Sequence, residues 1–153
     1  MLIILLFFVC HWYLAIFSQT FLQHRYASHA AFSMSKFWER FFYILFAPSA
    51  WWYLLIPIHI VMLPLHGAVI NWFAHKYGTV NFKLNNTSRN LYPMDLLLMG
   101  EAYHNNHHKT PSAINFGKRW YEFDPTYPII RFLSLVRIIR VNKINKTSNV
   151  ELE

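Results

Sequence analysis

The sequence begins with LIILLFFVCHWYLAIFSQTFL, residues 2–22, a stretch that contains no charged side chain. A helix of about 20 apolar residues is long enough to cross the roughly 30 Å hydrocarbon core of a bilayer. The stretch has no basic leader and no small-residue cleavage site, which favours a retained transmembrane helix over a removable signal peptide. The expected fold is therefore that of an all-α integral membrane protein.

Charge is distributed unevenly along the 153 residues, of which 55% are apolar and only 14% charged. No charged residue lies between positions 41 and 75, whereas 17 of the 21 charged residues follow position 75. This pattern predicts a second apolar span at about 50–73 and a polar cap at 74–153, within a single domain 1–153. The net charge of +7 lies just beyond the apolar segments, so the positive-inside rule places the cap in the cytoplasm.

The local pattern is mainly helical, apart from HKYGTVNFKLNNTSRN, residues 75–90, where Tyr77-Gly78 and the Asn/Ser-rich segment predict a loop. Ser35 is a plausible N-cap for a helix through KFWERFFYILF, residues 36–46, that ends before Pro48. MDLLLMGEAYHNNHH, residues 94–108, predicts a short helix with a polar end. The tail YPIIRFLSLVRIIRVNK, residues 127–143, combines apolar pairs with arginines. This suits an amphipathic helix on an anionic membrane face and, equally well, a solvated basic tail.

Histidine is concentrated in three polar segments, HRYASH at 24–29, NWFAHKYG at 71–78 and GEAYHNNHHK at 100–109. His104, His107 and His108 have i, i+3, i+4 spacing, so on a helix all three can face one point. Asn71 and His75 are i and i+4, also on one face. His24 and His29 are five apart, which separates them by well over 100° on an α-helix, so we expect them to flank a helix end.

Taken together, these histidines indicate a metal centre. Six imidazoles exceed what one tetrahedral zinc needs, so two metals account better for the number. Neutral ligands also leave the metals strongly electrophilic, which suits oxygen activation better than hydrolysis. His11, His59 and His66 lie within apolar runs, and we interpret them as packing or interfacial residues. The single cysteine, Cys10, excludes an intrachain disulfide and a cysteine-based metal site.

These segments resemble the membrane fatty acid desaturases, most closely the acyl-CoA, stearoyl-type and delta-9-like branch. The resemblance includes Trp120 and the Asp124-Pro125 pair that follow the last histidine segment. It implies a di-iron centre on the cytosolic side of the membrane. The ligands implied are His24, His29, His75, His104, His107 and His108, with Asn71 contacting one iron through a water.

The resemblance also implies a reaction and its partners. The reaction is an O2-dependent introduction of a double bond into an acyl chain, in unsaturated fatty acid biosynthesis. The partners are the lipid bilayer, a fatty acyl substrate on CoA or a carrier, and an external electron donor such as ferredoxin, rubredoxin or a cytochrome b5-like protein. Arg25, Lys76 and Arg119 are candidate contacts for an anionic headgroup. No nucleic-acid partner is indicated.

The chain departs from the family pattern between its first and second histidine segments. The family carries an HRxHH box there, but residues 30–70 contain only His59 and His66. Residues 37–73 are also long enough for only one comfortable crossing, which would place His24 and His29 on the opposite membrane face from HNNHH. The simplest hypothesis is an internal deletion near FFYILFAPSAWW, residues 41–52.

Three functions remain open at this point. They are an active desaturase, a catalytically inactive membrane remnant of one, and a related diiron hydroxylase or monooxygenase. The Asn71/His75 element ahead of HNNHH favours the desaturase over the hydroxylase.

Overall fold

The first helix continues past the predicted span. The structure, a computed structural model, describes residues 2–46, 65, 67, 68, 70–91 and 93–142. Helix α1, Leu2–Ser18, runs directly into a π-helix, Gln19–Ser28. Among the described residues, only Leu6–Ser28 is long and apolar enough to cross a membrane. Large apolar side chains are exposed around α1, as suits a helix in contact with lipid: Leu6, Phe7, Phe8, Val9, Trp12, Tyr13 and Leu14.

The π-helix changes the geometry of the first histidine segment. Its hydrogen bonds join residues five apart, as in the bond that the His29 N–H donates to the His24 carbonyl at 3.1 Å. Residues five apart therefore lie one above the other, and the His24 and His29 ring centroids are only 4.8 Å apart. His29 caps the end of this helix, so the predicted helix end is confirmed, but the expectation that the two histidines diverge is wrong because the helix is π and not α.

Helix α2, Lys36–Phe46, confirms the helix predicted before Pro48. The Trp38 N–H donates to Ser35 Oγ at 3.4 Å, so Ser35 caps the first turn as predicted. Phe42 is buried and its ring meets Phe21 edge-on, with centroids 5.3 Å apart. The core that α2 covers consists of Phe21, Leu22, Ala31, Phe32, Phe42, Ile130 and Ile139.

A small sheet corrects the prediction of an all-α fold. Strands β1, Phe32–Met34, and β2, Ile139–Val141, pair antiparallel, with Ser33 opposite Arg140. Ile139 is 1% exposed, so the strand carries an apolar residue into the core beside Phe32. Burial of this residue and the backbone pairing stabilise the tail as a strand.

In the part of the cap that the structure describes, two helices precede β2. Helix α3 spans His104–Lys109, and helix α4 spans Thr126–Leu135. The predicted tail helix therefore ends at Leu135, eight residues short of its expected end. Arg137 follows with φ +61°, a left-handed conformation that is uncommon outside glycine, and it turns the chain into β2. Ile138 N–H closes this turn on the Leu133 carbonyl at 2.9 Å.

The helix predicted at 94–108 begins only at His104, since the residues before it form turns. Asp95 accepts hydrogen bonds from the N–H groups of Leu98, Gly100 and Ala102, which replaces helical bonding. Gly100 has φ +100°, and a Cβ there would lie 2.5 Å from Asp124 Oδ1. Only glycine fits this turn.

The second predicted span, 50–73, lies largely outside the described residues. Residues 70–74 are helical and lead into the turns of the cap. The cap is mainly turn and irregular chain, with α3 and α4 as its helices among the described residues.

Candidate metal centre

Six histidines from the three segments converge in two groups. The ligand nitrogens in each group lie within 4.8 Å of one another. The first group is His24, His29 and His107, and the second is His75, His104 and His108. Each group combines residues that are distant in sequence.

Helix α3 serves both groups. His104 and His108 are one turn apart and face the second group, with their Nε2 atoms 3.1 Å apart. His104 Nε2 lies 3.2 Å from His75 Nε2. His107 faces the first group, where its Nε2 is 3.3 Å from His24 Nε2. The expectation that all three helix histidines face one point is corrected, because the one at i+3 diverges from the pair at i and i+4.

Two histidines are oriented by hydrogen bonds on the ring nitrogen that faces away from their group. Glu101 Oε2 lies 2.7 Å from His24 Nδ1, and Thr87 Oγ1 lies 3.0 Å from His75 Nδ1. Thr20 donates a further hydrogen bond to Glu101. Such contacts fix the tautomer and leave Nε2 free as a ligand.

Burial favours the neutral form of four of the six imidazoles. Burial, followed by the neighbouring histidines, lowers the pKa of His104 to about 4 and that of His107 to about 2. Burial likewise lowers the pKa of His29 and His108. Burial alone would raise the pKa of Glu101, but the hydrogen bond with His24, followed by the positive charge that His24 carries when protonated, brings the pKa of Glu101 to about 2. Neutral imidazole is the form that binds metal.

The two asparagines of HNNHH lie on the other side of α3 and are buried. Asn105 donates to the carbonyls of Phe82 and Ser88, while its oxygen accepts the N–H groups of Asn81 and Phe82. Asn106 is equally saturated: it donates to the Phe116 carbonyl and the Glu122 carboxylate, and it accepts from the side chains of Asn81 and Asn90. These bonds fix the rotation of α3 and so the direction of its histidines.

A buried ion pair attaches the π-helix to the cap. Arg25 Nη2 lies 2.7 Å from Asp124 Oδ2, and both side chains are fully buried. The guanidinium also covers the Phe116 ring at 4.2 Å and donates to the Ile114 carbonyl. Arg25 is therefore unsuited to holding a headgroup, which corrects that expectation. Lys76 and Arg119, the other two candidates, are exposed.

The same contacts correct the predicted topology. His24 and His107 lie side by side, as do Thr20 and Glu101, so the first and last histidine segments share one face. The opposite-face expectation is wrong for these residues. It rested on counting crossings through residues 37–73, of which 47–64, 66 and 69 lie outside the described residues.

The remaining sequence candidates are Asn71 and the histidines of the apolar runs. Asn71 is exposed and lies in the helical residues 70–74, just before His75. His11 is in α1, where its ring stacks on Phe7 with centroids 5.9 Å apart, which agrees with a packing role. His59 and His66 lie outside the described residues. Sequence reasoning missed Thr87, Thr20 and Glu101 as orienting groups; the density of polar residues in GEAYHNNHHK was the available signal for Glu101.

The donor set fits transition-metal ions. Each group offers three neutral imidazole nitrogens, which suit iron, zinc, copper and nickel. Three ligands leave coordination positions open for water or a substrate, as a catalytic centre requires. The two groups adjoin, since the His104 and His107 ring centroids are 5.9 Å apart.

Curated proteins similar to the chain are desaturases. The sn-1 stearoyl-lipid 9-desaturase of Synechocystis is 35% identical over 103 residues, which are 66% of this chain and 32% of the relative. Delta-9 acyl-lipid desaturase 1 of Arabidopsis thaliana is 37% identical over 44% of this chain and 22% of the relative. A probable acyl-CoA desaturase of Schizosaccharomyces pombe is 41% identical over 43% and 14%.

The matched stretch thus spans about a third or less of these relatives. No family model matches the chain, and no solved structure matches it significantly. The relatives are nevertheless 33–41% identical and are consistently named as delta-9 or acyl-CoA desaturases. Over the part of the chain that aligns with them, the sequence is therefore similar to delta-9 and acyl-CoA desaturases.

Proposed function

We propose that the protein is an O2-dependent fatty acyl desaturase with a histidine-ligated di-iron centre. The observation that carries this proposal is the pair of adjoining groups, each with three converging imidazoles. His24, His29 and His107 would hold one iron, and His75, His104 and His108 the other. Asn71 would act on the second iron through a water.

Iron bound there would supply the oxidising power to break an unactivated C–H bond, which no side chain has. The chain itself holds and orients the ligands. Glu101 and Thr87 direct the Nε2 atoms of His24 and His75 inward, and Asn105 and Asn106 fix α3. In the overall reaction, O2 is reduced to two waters, which takes four electrons and four protons. The acyl chain supplies two of each as its two hydrogens, and the external donor and solvent supply the other two electrons and two protons.

The relatives' names guide the substrate and partners that we propose. The acyl chain would carry its double bond at the delta-9 position, on a membrane lipid or on CoA. An external one-electron carrier would supply the electrons. We place the histidine face in the cytoplasm, with the apolar spans in the bilayer and the cap above them.

A metal-binding but inactive remnant is the second candidate, and one observation favours it. Residues 30–70 hold only His59 and His66, so the HRxHH box that the family carries there is missing, as an internal deletion would explain. The centre would then have three imidazoles for each metal.

Two measurements on the full chain test the function. The first is iron per chain after purification in detergent and reconstitution with ferrous iron, where we expect close to two. The second is the fatty acid profile of a host without its own delta-9 desaturase, where we expect a monounsaturated product that the His104→Ala/His107→Ala variant does not form. Iron without product would identify the remnant, a hydroxylated product the related hydroxylase, and absence of iron would refute the proposal.

A further inference from the structure

A cavity of about 350 Å³ lies away from the histidines, where β1 and β2 meet the start of α2. Its lining residues are Ser33, Met34, Ser35, Arg137, Ile138 and Arg140. None of these is acidic, whereas two are arginines and two are serines. The cavity therefore presents positive charge and hydrogen-bond donors over a small apolar wall.

The two arginines are available to a ligand. Both are exposed, and neither side chain has a hydrogen bond or ion pair with the part of the chain that the structure describes. Arg140 lies opposite Ser33 in the sheet, whose hydroxyl is 3.4 Å from the Arg140 carbonyl oxygen. The backbone of Arg137 has a φ of +61°, a left-handed conformation that costs free energy and often marks a functional position.

The other wall adds to the positive potential. Ser35 caps α2, so the first turn of this 11-residue helix begins at the cavity. Ser35 accepts hydrogen bonds from the Trp38 and Glu39 N–H groups, and the Glu39 carboxylate pairs with Lys36. The N–H groups that remain at the helix start favour an anion. Together with two guanidinium groups, which bind phosphate through paired N–H donors, this chemistry selects a phosphate group.

Apolar side chains adjoin the basic ones. Leu135 and Val136 immediately precede Arg137 and are 80% and 46% exposed, and Phe132 is 61% exposed. A ligand with both a phosphate and an acyl chain would contact both kinds of surface.

We propose that Arg137 and Arg140, with Ser33 and Ser35, form a phosphate-binding site that is separate from the metal centre. The phosphate is that of a phospholipid headgroup or of a soluble phosphate compound. The site does not depend on the proposed desaturase function, because none of its residues contacts a histidine group.

The test uses the full chain purified in detergent, with three probes titrated by calorimetry. The probes are dihexanoyl phosphatidic acid, inorganic phosphate, and dihexanoylglycerol, which has the same acyl chains without the phosphate. We expect phosphatidic acid to bind at least about tenfold more weakly to the Arg137→Gln/Arg140→Gln variant than to the wild type, since two charge-assisted contacts are lost. The matched control is Arg131→Gln, an exposed arginine of α4 outside the cavity, which should bind as the wild type does.

A second variant separates loss of binding from misfolding. Arg137→Lys/Arg140→Lys keeps the charge and should bind phosphatidic acid more tightly than the glutamine variant does. Tighter binding of phosphatidic acid than of phosphate identifies a lipid headgroup, and equal binding identifies a soluble phosphate. The proposal fails if the wild type binds neither phosphate probe, if dihexanoylglycerol binds as tightly, or if the glutamine variant binds as the wild type does.

Discussion

Glu101 is the residue on which the orientation of His24 depends, because its carboxylate lies 2.7 Å from His24 Nδ1. The Glu101→Gln variant keeps the shape but removes the charge. Loss of such an orienting partner weakens metal binding by about 10- to 100-fold. We therefore expect iron per chain to fall from near two to near one under mild chelator competition, as measured by metal analysis.

The matched control is Glu39→Gln, because the Glu39 carboxylate pairs with Lys36 and accepts a hydrogen bond from Tyr26 rather than from a histidine. It should keep the iron content of the wild type. Equal iron in the Glu101 and Glu39 variants would show that the carboxylate has no role in metal binding.

Asn106 is the residue that most directly fixes α3. In Asn106→Asp, an oxygen replaces the amide nitrogen that donates to Glu122 Oε2 at 2.7 Å and to the Phe116 carbonyl. Two buried acceptors then face a carboxylate, so we expect the free energy of unfolding to fall by about 3 kcal/mol or more at neutral pH. Denaturant titration in detergent measures this loss.

The same change at Asn86, which is exposed, provides the comparison. Asn86 accepts hydrogen bonds from Ser88 through its oxygen, which aspartate retains. Asn86→Asp should change the unfolding free energy by about 0.5 kcal/mol or less. A similar loss in both variants would contradict the anchoring role of Asn106.

At the scale of elements, α2 was predictable and the π-helix was not. A capping serine, apolar spacing and a following proline are local signals, and α2 follows them. The π-helix has no comparable local signal. Its long-range partners are Glu101 for Thr20 and Asp124 for Arg25, which lie 81 and 99 residues away. The start of α3 was missed for a related reason, since Asp95 and Gly100 replace helical bonding with a turn.

Helix α2 offers a test of its buried face with two adjacent phenylalanines. Phe42 is 7% exposed and packs on Phe21, whereas Phe41 is 43% exposed. Phe42→Ala should lower the unfolding free energy by about 3–5 kcal/mol through lost burial and a cavity. Phe41→Ala should lower it by clearly less, and thermal unfolding of both variants in one detergent compares them. Equal losses would show that α2 packs through a different face.

At the scale of the whole molecule, sequence reasoning found the six histidines and the similarity to desaturases, but it placed the first and last histidine segments on opposite faces of the membrane. Residue type and local spacing identify candidate metal ligands, and the resemblance to a family indicates which segments contribute ligands to the same centre. The side of the membrane on which two segments meet depends on the number of crossings between them, and that number was estimated from length alone. Contacts across about 80 residues, such as His24 with His107, are tertiary and have no local signal.

The shared face can be tested by cysteine accessibility in membranes. In a Cys10→Ser background, Lys36→Cys follows the first histidine segment and Trp120→Cys follows the last. Both side chains are well exposed, Lys36 at 84% and Trp120 at 96%. We expect a charged, membrane-impermeant maleimide to label both positions from the same side, and from the cytoplasmic side if the positive-inside rule holds.

Leu6→Cys, within the apolar helix, is the control and should remain unlabelled by the charged reagent unless detergent is added. Labelling of Lys36→Cys and Trp120→Cys from opposite sides would separate His24 and His29 from His104, His107 and His108. One chain could not then assemble the two histidine groups, and both the shared-face topology and the di-iron proposal would be refuted. Labelling from one side requires an even number of crossings between the segments, so the chain between them must either span the bilayer twice or re-enter it without crossing.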